Sequence, residues 1–306
     1  MQGVVAVVCL SCRAEQAKTM TPKPQNLLII MSDEQSIKHL GCYGSSLVRT
    51  PHIDALAARG ARFSNAYCSN PVCIPARASF ATGLYTHQMG YWDNADPYEG
   101  SVPSWHHLLR ERGHRVESIG KLHFRSTDDD NGFDVERIPM HVIDGKGDLL
   151  GLIREDLPER KGAWKMAGMA GPGESMYTRY DRDIAAEAQM WLHEEAGKHT
   201  DQPWVLFVSF VAPHFPLSAP SEYFYEYYES AALPMPKLYA ADERPQHPFL
   251  RDYAQSFCYD RYFDSEDKVR RAVAGYFGLC TLGAWFAIRC WTIAIACSGL
   301  VSDQRL

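Results

Sequence analysis

The chain has 306 residues, 46% of them hydrophobic, enough to bury a substantial core in one large domain or two. Its formal net charge is −6 and it carries no lysine or arginine block, which argues against nucleic acid or an anionic membrane as the main partner. Nine cysteines lie scattered, and the single C-x-x-C, Cys9 to Cys12, has no second pair in metal spacing, so neither a zinc site nor a disulfide framework is expected.

Residues 1–24 read as an extension outside the fold. Gly3 to Leu10 is apolar, but it is short for a secretory signal and has no basic stretch before it. Translation starting at Met20 is the simpler expectation, with a cytoplasmic location. If residues 1–19 are a signal, the periplasm is the alternative. Asn26 to Met31 is a continuous apolar run, as in a parallel strand buried on both faces. It delivers Asp33 and Glu34 just past its carboxyl end, where open α/β sheets hold ligands. Thr50-Pro51 then opens a helix, with Thr50 as N-cap, Ile53, Leu56 and Ala57 on one face and Gly60 as the stop. His52 and Asp54 read as structural residues exposed on its first turn.

The next stretch is Pro71-Val-Cys-Ile-Pro-Ala-Arg77 followed by Ala78-Ser-Phe-Ala-Thr-Gly83. Pro75 suits a first helical turn and Gly83 a stop, which places Cys73 at the positive end of a helix over Ala76–Thr82. An anion or nucleophile is favoured there, and Arg77 adds charge one turn on; a small buried hydrophobe is the plainer role for a lone cysteine. Gly90-Tyr-Trp-Asp-Asn94 follows, its Asp-Asn pair suited to a turn. Ser104–Arg112 reads as a helix stopped by Gly113, and Arg115–Ile119 as a strand. That strand leads into Gly120-Lys-Leu-His-Phe124, where Lys121 and His123 would project to one side if the segment is extended.

From 125 to 175 little periodicity is legible. Asp128-Asp-Asp130 reads as a solvated loop, and Gly162–Met176 as a loop near a substrate. Tyr180–Glu195 has helical spacing, with Ile184, Ala188, Trp191 and Leu192 on one face. Pro203–Phe210 is a second buried strand, followed by Ala212-Pro-His-Phe-Pro216, where two prolines hold His214 on a stiff turn. Tyr223–Tyr228 reads as packing. Ser265–Gly278 is a capped helix with Val269, Val273, Tyr276 and Phe277 apolar.

Taken in order, Asn26–Gln35, Thr50–Phe63, Cys73–Gly83, Gly120–Phe124, Ala212–Pro216 and Ser265–Gly278 resemble the sulfatase family of the alkaline-phosphatase-like superfamily, over roughly residues 24–280. The resemblance implies an α/β fold, a mostly parallel sheet sandwiched between helices, as a catalytic region over 25–280. It implies hydrolysis of a small sulfated ester, with Cys73 converted to formylglycine by a maturation enzyme and its hydrate as nucleophile. Catalytic roles carry over to Cys73, Arg77, His123 and His214, and sulfate binding to Lys121. His123 could also protonate a leaving oxygen near neutral pH. Asn94 matches the substrate-contacting asparagine of the choline-sulfatase and phosphonate-monoester-hydrolase branch. Asp33, Glu34 and Cys73 correspond to metal ligands, whose oxygens suit Ca²⁺ or Mg²⁺. No membrane partner is implied.

The resemblance stops near Cys280. Relatives continue to a strand ending in Asp-His or Asp-Asn, which completes the metal site, whereas here Leu282–Cys297 brings an abrupt change of composition. We read 281–306 as an aberrant hydrophobic tail left by truncation or a frameshift, making the fold C-terminally incomplete. A membrane span over 281–301 would place Arg289 near its middle, at high cost. Full activity is then expected to need further residues. Two alternatives stay open: a phosphonate or phosphate diester hydrolase using the same residues, and an inactive sulfatase fragment.

Overall fold

The computed structural model describes residues 5–10, 26–147, 159–160, 162–199 and 201–297. Among these described residues the strands, in chain order, are β1 (Val5–Leu10), β2 (Leu27–Ser32), β3 (Arg115–Lys121), β4 (Val135–Met140), β5 (Gly171–Pro172), β6 (Trp204–Ser209) and β7 (Ser218–Ala219). The α-helices are α1 (Pro51–Ala57), α2 (Cys73–Thr82), α3 (Thr86–Met89), α4 (Trp105–Glu111), α5 (Gly162–Gly168), α6 (Met176–Glu194), α7 (Ser221–Tyr228), α8 (Pro248–Phe257), α9 (Tyr259–Tyr262) and α10 (Glu266–Cys297). The main sheet has the order β1-β2-β6-β3-β4, and all its pairs are parallel except β1 with β2. Strands β5 and β7 form a short parallel pair of their own.

The apolar run in β2 follows from burial on both faces. Leu28 and Ile30 pack with Leu206, Val208, Ile184, Ala188 and Trp191 under α6, α7 and α10. Ile29 and Met31 pack the other way, with Val205, Phe207, Ala78 and Ala81 under α2 and α4. The sheet is therefore sandwiched between helices, as the sequence pattern predicts. Every residue of β6 is buried. Gly120 lets β3 pass close to its neighbours: its φ is +98°, and a Cβ there would lie 2.4 Å from the Ser209 carbonyl oxygen and 2.7 Å from Ile184. Tyr227 and Phe224 pack in the core as expected of the aromatic run.

Several elements differ from the sequence reading. Residues 5–10, expected outside the fold, pair antiparallel with β2 at the sheet edge. Thr50 does not cap α1: its hydroxyl accepts from the Gly41 N–H (2.8 Å) and donates to Asp54 (3.1 Å). Asp54 is half-buried and accepts from the Cys42 N–H at 2.6 Å, so it ties the preceding loop to α1. Gly162–Gly168 is helical rather than a loop, burying Ala163 and Ala167 one turn apart. The helix begun near Ser265 does not stop at Gly278 but runs to Cys297, and Leu282, Ala284, Phe286 and Cys290 are buried. The expected tail thus begins as part of the core. Among the described residues no helix is long and apolar enough to cross a membrane.

One buried group makes the fold acid-sensitive. His106 on α4 is fully buried, stacks on Phe133 (ring centroids 4.2 Å apart) and lies 2.7 Å from the Asn131 carbonyl. Burial, with the nearby His107 and Arg110, lowers it from 6.5 to about 3. Between those values the unfolded chain binds a proton that the native chain does not, so stability falls as pH falls. His106 should contribute a slope of up to ~1.4 kcal/mol per pH unit in that window. Urea denaturation from pH 7 to 4 should show a shallower slope for His106→Phe than for the parent chain, the difference being this contribution.

Candidate active site

The carboxyl ends of β2, β3 and β6 converge on the start of α2. Asp33, immediately past β2, is 2% exposed, and its Oδ2 is ion-paired with Lys121 Nζ at the end of β3 and lies 3.5 Å from Arg77 Nη2. Lys121 and Arg77 are equally buried. Arg77 Nη1 donates to the Lys121 carbonyl (2.5 Å) and to Ser209 Oγ (2.9 Å) at the end of β6, so one guanidinium joins three strand ends. Burial alone would raise the Asp33 carboxyl, but Lys121 and Arg77 outweigh it and hold it far below the usual range. Burial alone would lower Lys121, and Asp33 reverses that. The cluster of one carboxylate and two cations carries excess positive charge in a buried site, an environment that receives an anion. The buried Nε of Arg77 and Nδ1 of His123 have no hydrogen-bond partner.

Cys73 stands at the first turn of α2, its Sγ 3.8 Å from Asp33 Oδ1. The helix stops where the sequence places it, at Gly83 with φ 72°. The expected activation by the helix end is overridden: burial and the Asp33 charge push the thiol up to about 12. The helix start is also partly occupied, because Asn94 Oδ1 accepts from the Ile74 N–H (3.1 Å) and Asn70 Oδ1 from the Val72 N–H (3.0 Å). Asn94 thus spends its carbonyl oxygen on the helix that carries Cys73.

The turn after β6 brings His214 in from the opposite side. The Phe215 carbonyl lies 2.6 Å from His214 Nδ1; a carbonyl only accepts, so that nitrogen carries the proton and Nε2 faces Glu34 Oε1 at 3.4 Å. Burial and the Lys121 charge lower His214 to about 4, while burial and the Asp33 charge raise Glu34 to about 8. Ligand atoms of Asp33, Cys73 and His214 all lie within 4.8 Å of one another. His123 does not extend β3. The ladder is irregular between Ile119 and Lys121, the strand ends at Lys121, and His123 has φ 54° with its N–H donating to the Met140 carbonyl (2.8 Å). Burial, Lys121 and Arg77 lower His123 well below its ordinary value. Both imidazoles are therefore neutral near pH 7 in the unliganded site, where a general acid would need one protonated.

The sequence profile of the sulfatase family matches residues 25–263. The chain belongs to the sulfatase family. The choline-sulfatase of Rhizobium meliloti is 32% identical over 266 residues, covering 84% of this chain and 51% of that protein. Arylsulfatase K of Homo sapiens is 26% identical, covering 91% of this chain and 51% of its own length. The phosphonate monoester hydrolase structure from Agrobacterium radiobacter shares the fold, with a TM-score of 0.64 at 22% identity, covering 90% of this chain and 60% of that one. The chain spans about half the length of the curated relatives it matches. Its parallel sheet with flanking helices is the alkaline-phosphatase-like architecture, shared with the phosphonate monoester hydrolase structure.

Within this site, sequence reasoning passes over Asp181. It lies fully buried on α6, and its two oxygens accept from the Val211 and Ala212 N–H groups at 2.7 Å each, anchoring the turn that carries His214. The signal was a carboxylate three residues before Ile184, on the apolar face of the helix. Burial raises it to about 7 even though both amides favour the charged form. Asp181→Asn would turn one acceptor into a donor facing an N–H. It should cost about 1–3 kcal/mol, measured as a lower denaturation midpoint at constant m-value.

Proposed function

We propose that the chain carries the nucleophile-bearing half of a sulfate-ester hydrolase that works through formylglycine made from Cys73 by a maturation enzyme. The observation that supports this reading best is the placement of Cys73 against Asp33, with Arg77, Lys121 and His214 around them, in a chain of the sulfatase family. The raised thiol fits it too, since an inert sulfhydryl is no nucleophile in its own right. Hydrated formylglycine would supply two hydroxyls on one carbon, one to attack sulfur and one to expel sulfate afterwards.

The chain's own residues do the rest. Arg77 and Lys121 offset the charge that builds on the sulfuryl oxygens, held in place by Asp33 and Ser209, so little reorganisation is needed during reaction. His123 and His214 face the same charges as neutral rings, and an entering anion favours their protonation towards a leaving oxygen. Asp33, with Cys73 and His214 beside it, would hold a hard divalent cation, Ca²⁺ or Mg²⁺, as part of a larger oxygen set, whereas Glu34 is turned to His214 and lies outside that group. Asp33 Oδ1 is turned towards Cys73 while Oδ2 takes Lys121. Bound there, the cation would add Lewis acidity and lower the pKa of an oxygen it holds. A small sulfated ester is the proposed substrate class, and the choline-sulfatase relative favours a choline-like one.

Production of the 306-residue chain with a formylglycine-generating enzyme tests this. Peptide mass spectrometry should find an aldehyde at position 73, and a failure to mature there would overturn the reading. Where the chain turns over an aryl sulfate, Cys73→Ala should lower the rate by about a thousandfold or more. Turnover of an aryl phosphonate in preference to the sulfate would move the assignment to the phosphonate reading.

A further inference from the structure

The acidic turn after β2 has an unusual backbone. Glu34 has φ 63°, a left-handed conformation that a side chain with a Cβ rarely adopts. In an extended chain successive side chains point to opposite faces. Here the reversal at Glu34 lets neighbours face one site, Asp33 towards Cys73 and Glu34 towards His214. Something must hold that reversal.

The contact comes from α10, beyond the region matched by the family profile. The Tyr276 hydroxyl donates to the Glu34 carbonyl (2.8 Å) and accepts from the Ser36 N–H (3.0 Å). One oxygen atom thereby restrains both peptide planes flanking Gln35. The His39 ring lies edge-on to Tyr276 at 5.5 Å and against Phe277 at 4.8 Å, which seats the following turn on the same helix face. The helix itself is docked closely. A Cβ on Gly275 would meet the Leu217 carbonyl oxygen at 2.1 Å, and one on Gly278 the Ala219 Cβ at 2.8 Å. Leu217 and Ala219 belong to the segment just after His214. Helix α10 thus touches both arms of the site, the acidic one through a hydroxyl and the histidine one through glycines.

We propose that Tyr276 is a positioning residue: its hydroxyl bridges Glu34 and Ser36 and holds the acidic turn in the conformation that sets Asp33 against Cys73. This rests on the reading of Cys73 and Asp33 as the reacting centre, but it is tested without turnover, metal or maturation.

The experiment alkylates the unmatured 306-residue chain with iodoacetamide in chelator and follows each cysteine by peptide mass spectrometry. Tyr276→Phe keeps the ring and removes the bridge. It should speed alkylation of Cys73 about fivefold, the effect of one lost hydrogen bond on a local opening. Buried Cys290, further along α10 and out of reach of the Tyr276 hydroxyl, serves as the internal reference for loosening of the helix; Cys280 does not, because its thiol is itself hydrogen-bonded to Tyr276. Selective acceleration at Cys73 is the expected result. An unchanged Cys73 rate, or equal acceleration at Cys73 and Cys290, would overturn the proposal. Ser36→Pro removes the other partner's N–H at φ −87°, near the angle proline adopts, and should give the same selective effect should Tyr276→Phe not fold. A chain that fails to gain the aldehyde at position 73 yet shows selective acceleration would sink the function and keep the positioning role.

Discussion

A carboxylate buried between two cations is the constraint on which the rest of this site depends. Asp33, Lys121 and Arg77 come from different parts of the chain, and each is about 2% exposed. None could be buried alone, because an unpaired charge in the interior costs several kcal/mol, about 3–5 when one partner is removed. Three segments must therefore arrive together: the end of β2, the end of β3 and the first turns of α2. The guanidinium of Arg77 enforces this by also binding the Lys121 carbonyl and Ser209. Such a cluster is a poor device for stability, since a hydrophobic substitute would do as well. Its value is chemical, a net positive pocket already desolvated and already oriented.

The same electrostatics explain why the cysteine is quiet. A helix start would ordinarily lower a thiol, and burial together with the Asp33 charge outweighs that here. Low intrinsic reactivity is consistent with the proposed conversion of Cys73 into another group before it acts. The neutral imidazoles of His123 and His214 follow from burial first and then from the same surplus of positive charge. Both are poised to respond to an anion rather than to bulk pH.

Much of this was legible in the residues, for physical reasons. Strands β2 and β6 announce themselves because parallel strands buried on both faces must be continuously apolar. The ends of α2 are marked by Pro75 and Gly83, and the residues that converge on the site all lie at ends of such elements. What stayed hidden depends on tertiary context. β4 is a half-buried edge strand with polar Glu136 and Arg137 and a proline inside, so its pattern is weak. α5 carries glycines at both ends and offers only Ala163 and Ala167 as a face. The alternation drawn for Lys121 and His123 failed because an irregular ladder and a left-handed residue intervene. Asp181 acts on a backbone thirty residues away, and no local pattern encodes that.

The long helix α10 shows most clearly how packing overrides composition. From Leu282 onward its residue mix changes abruptly, and a reading by composition alone separates that segment from the fold. Leu282, Phe286 and Cys290 nevertheless enter the same core as β2, β6 and α6, and Phe286 stacks on Phe210 at 5.8 Å, one residue past the end of β6. The helix is apolar because it is buried, and it is held close to the turn after β6 by residues without bulk, Gly275 and Gly278. A helix seated this rigidly can hold a strained turn at its surface in place. Strain in a backbone persists only where the surroundings over-determine it, and at Glu34 those surroundings are a tyrosine hydroxyl on one side and the Asp33 amide bonded to the Ala212 carbonyl on the other. The geometry of the proposed reacting centre is thus set from one face of the sheet, by an element that contributes no charge to it.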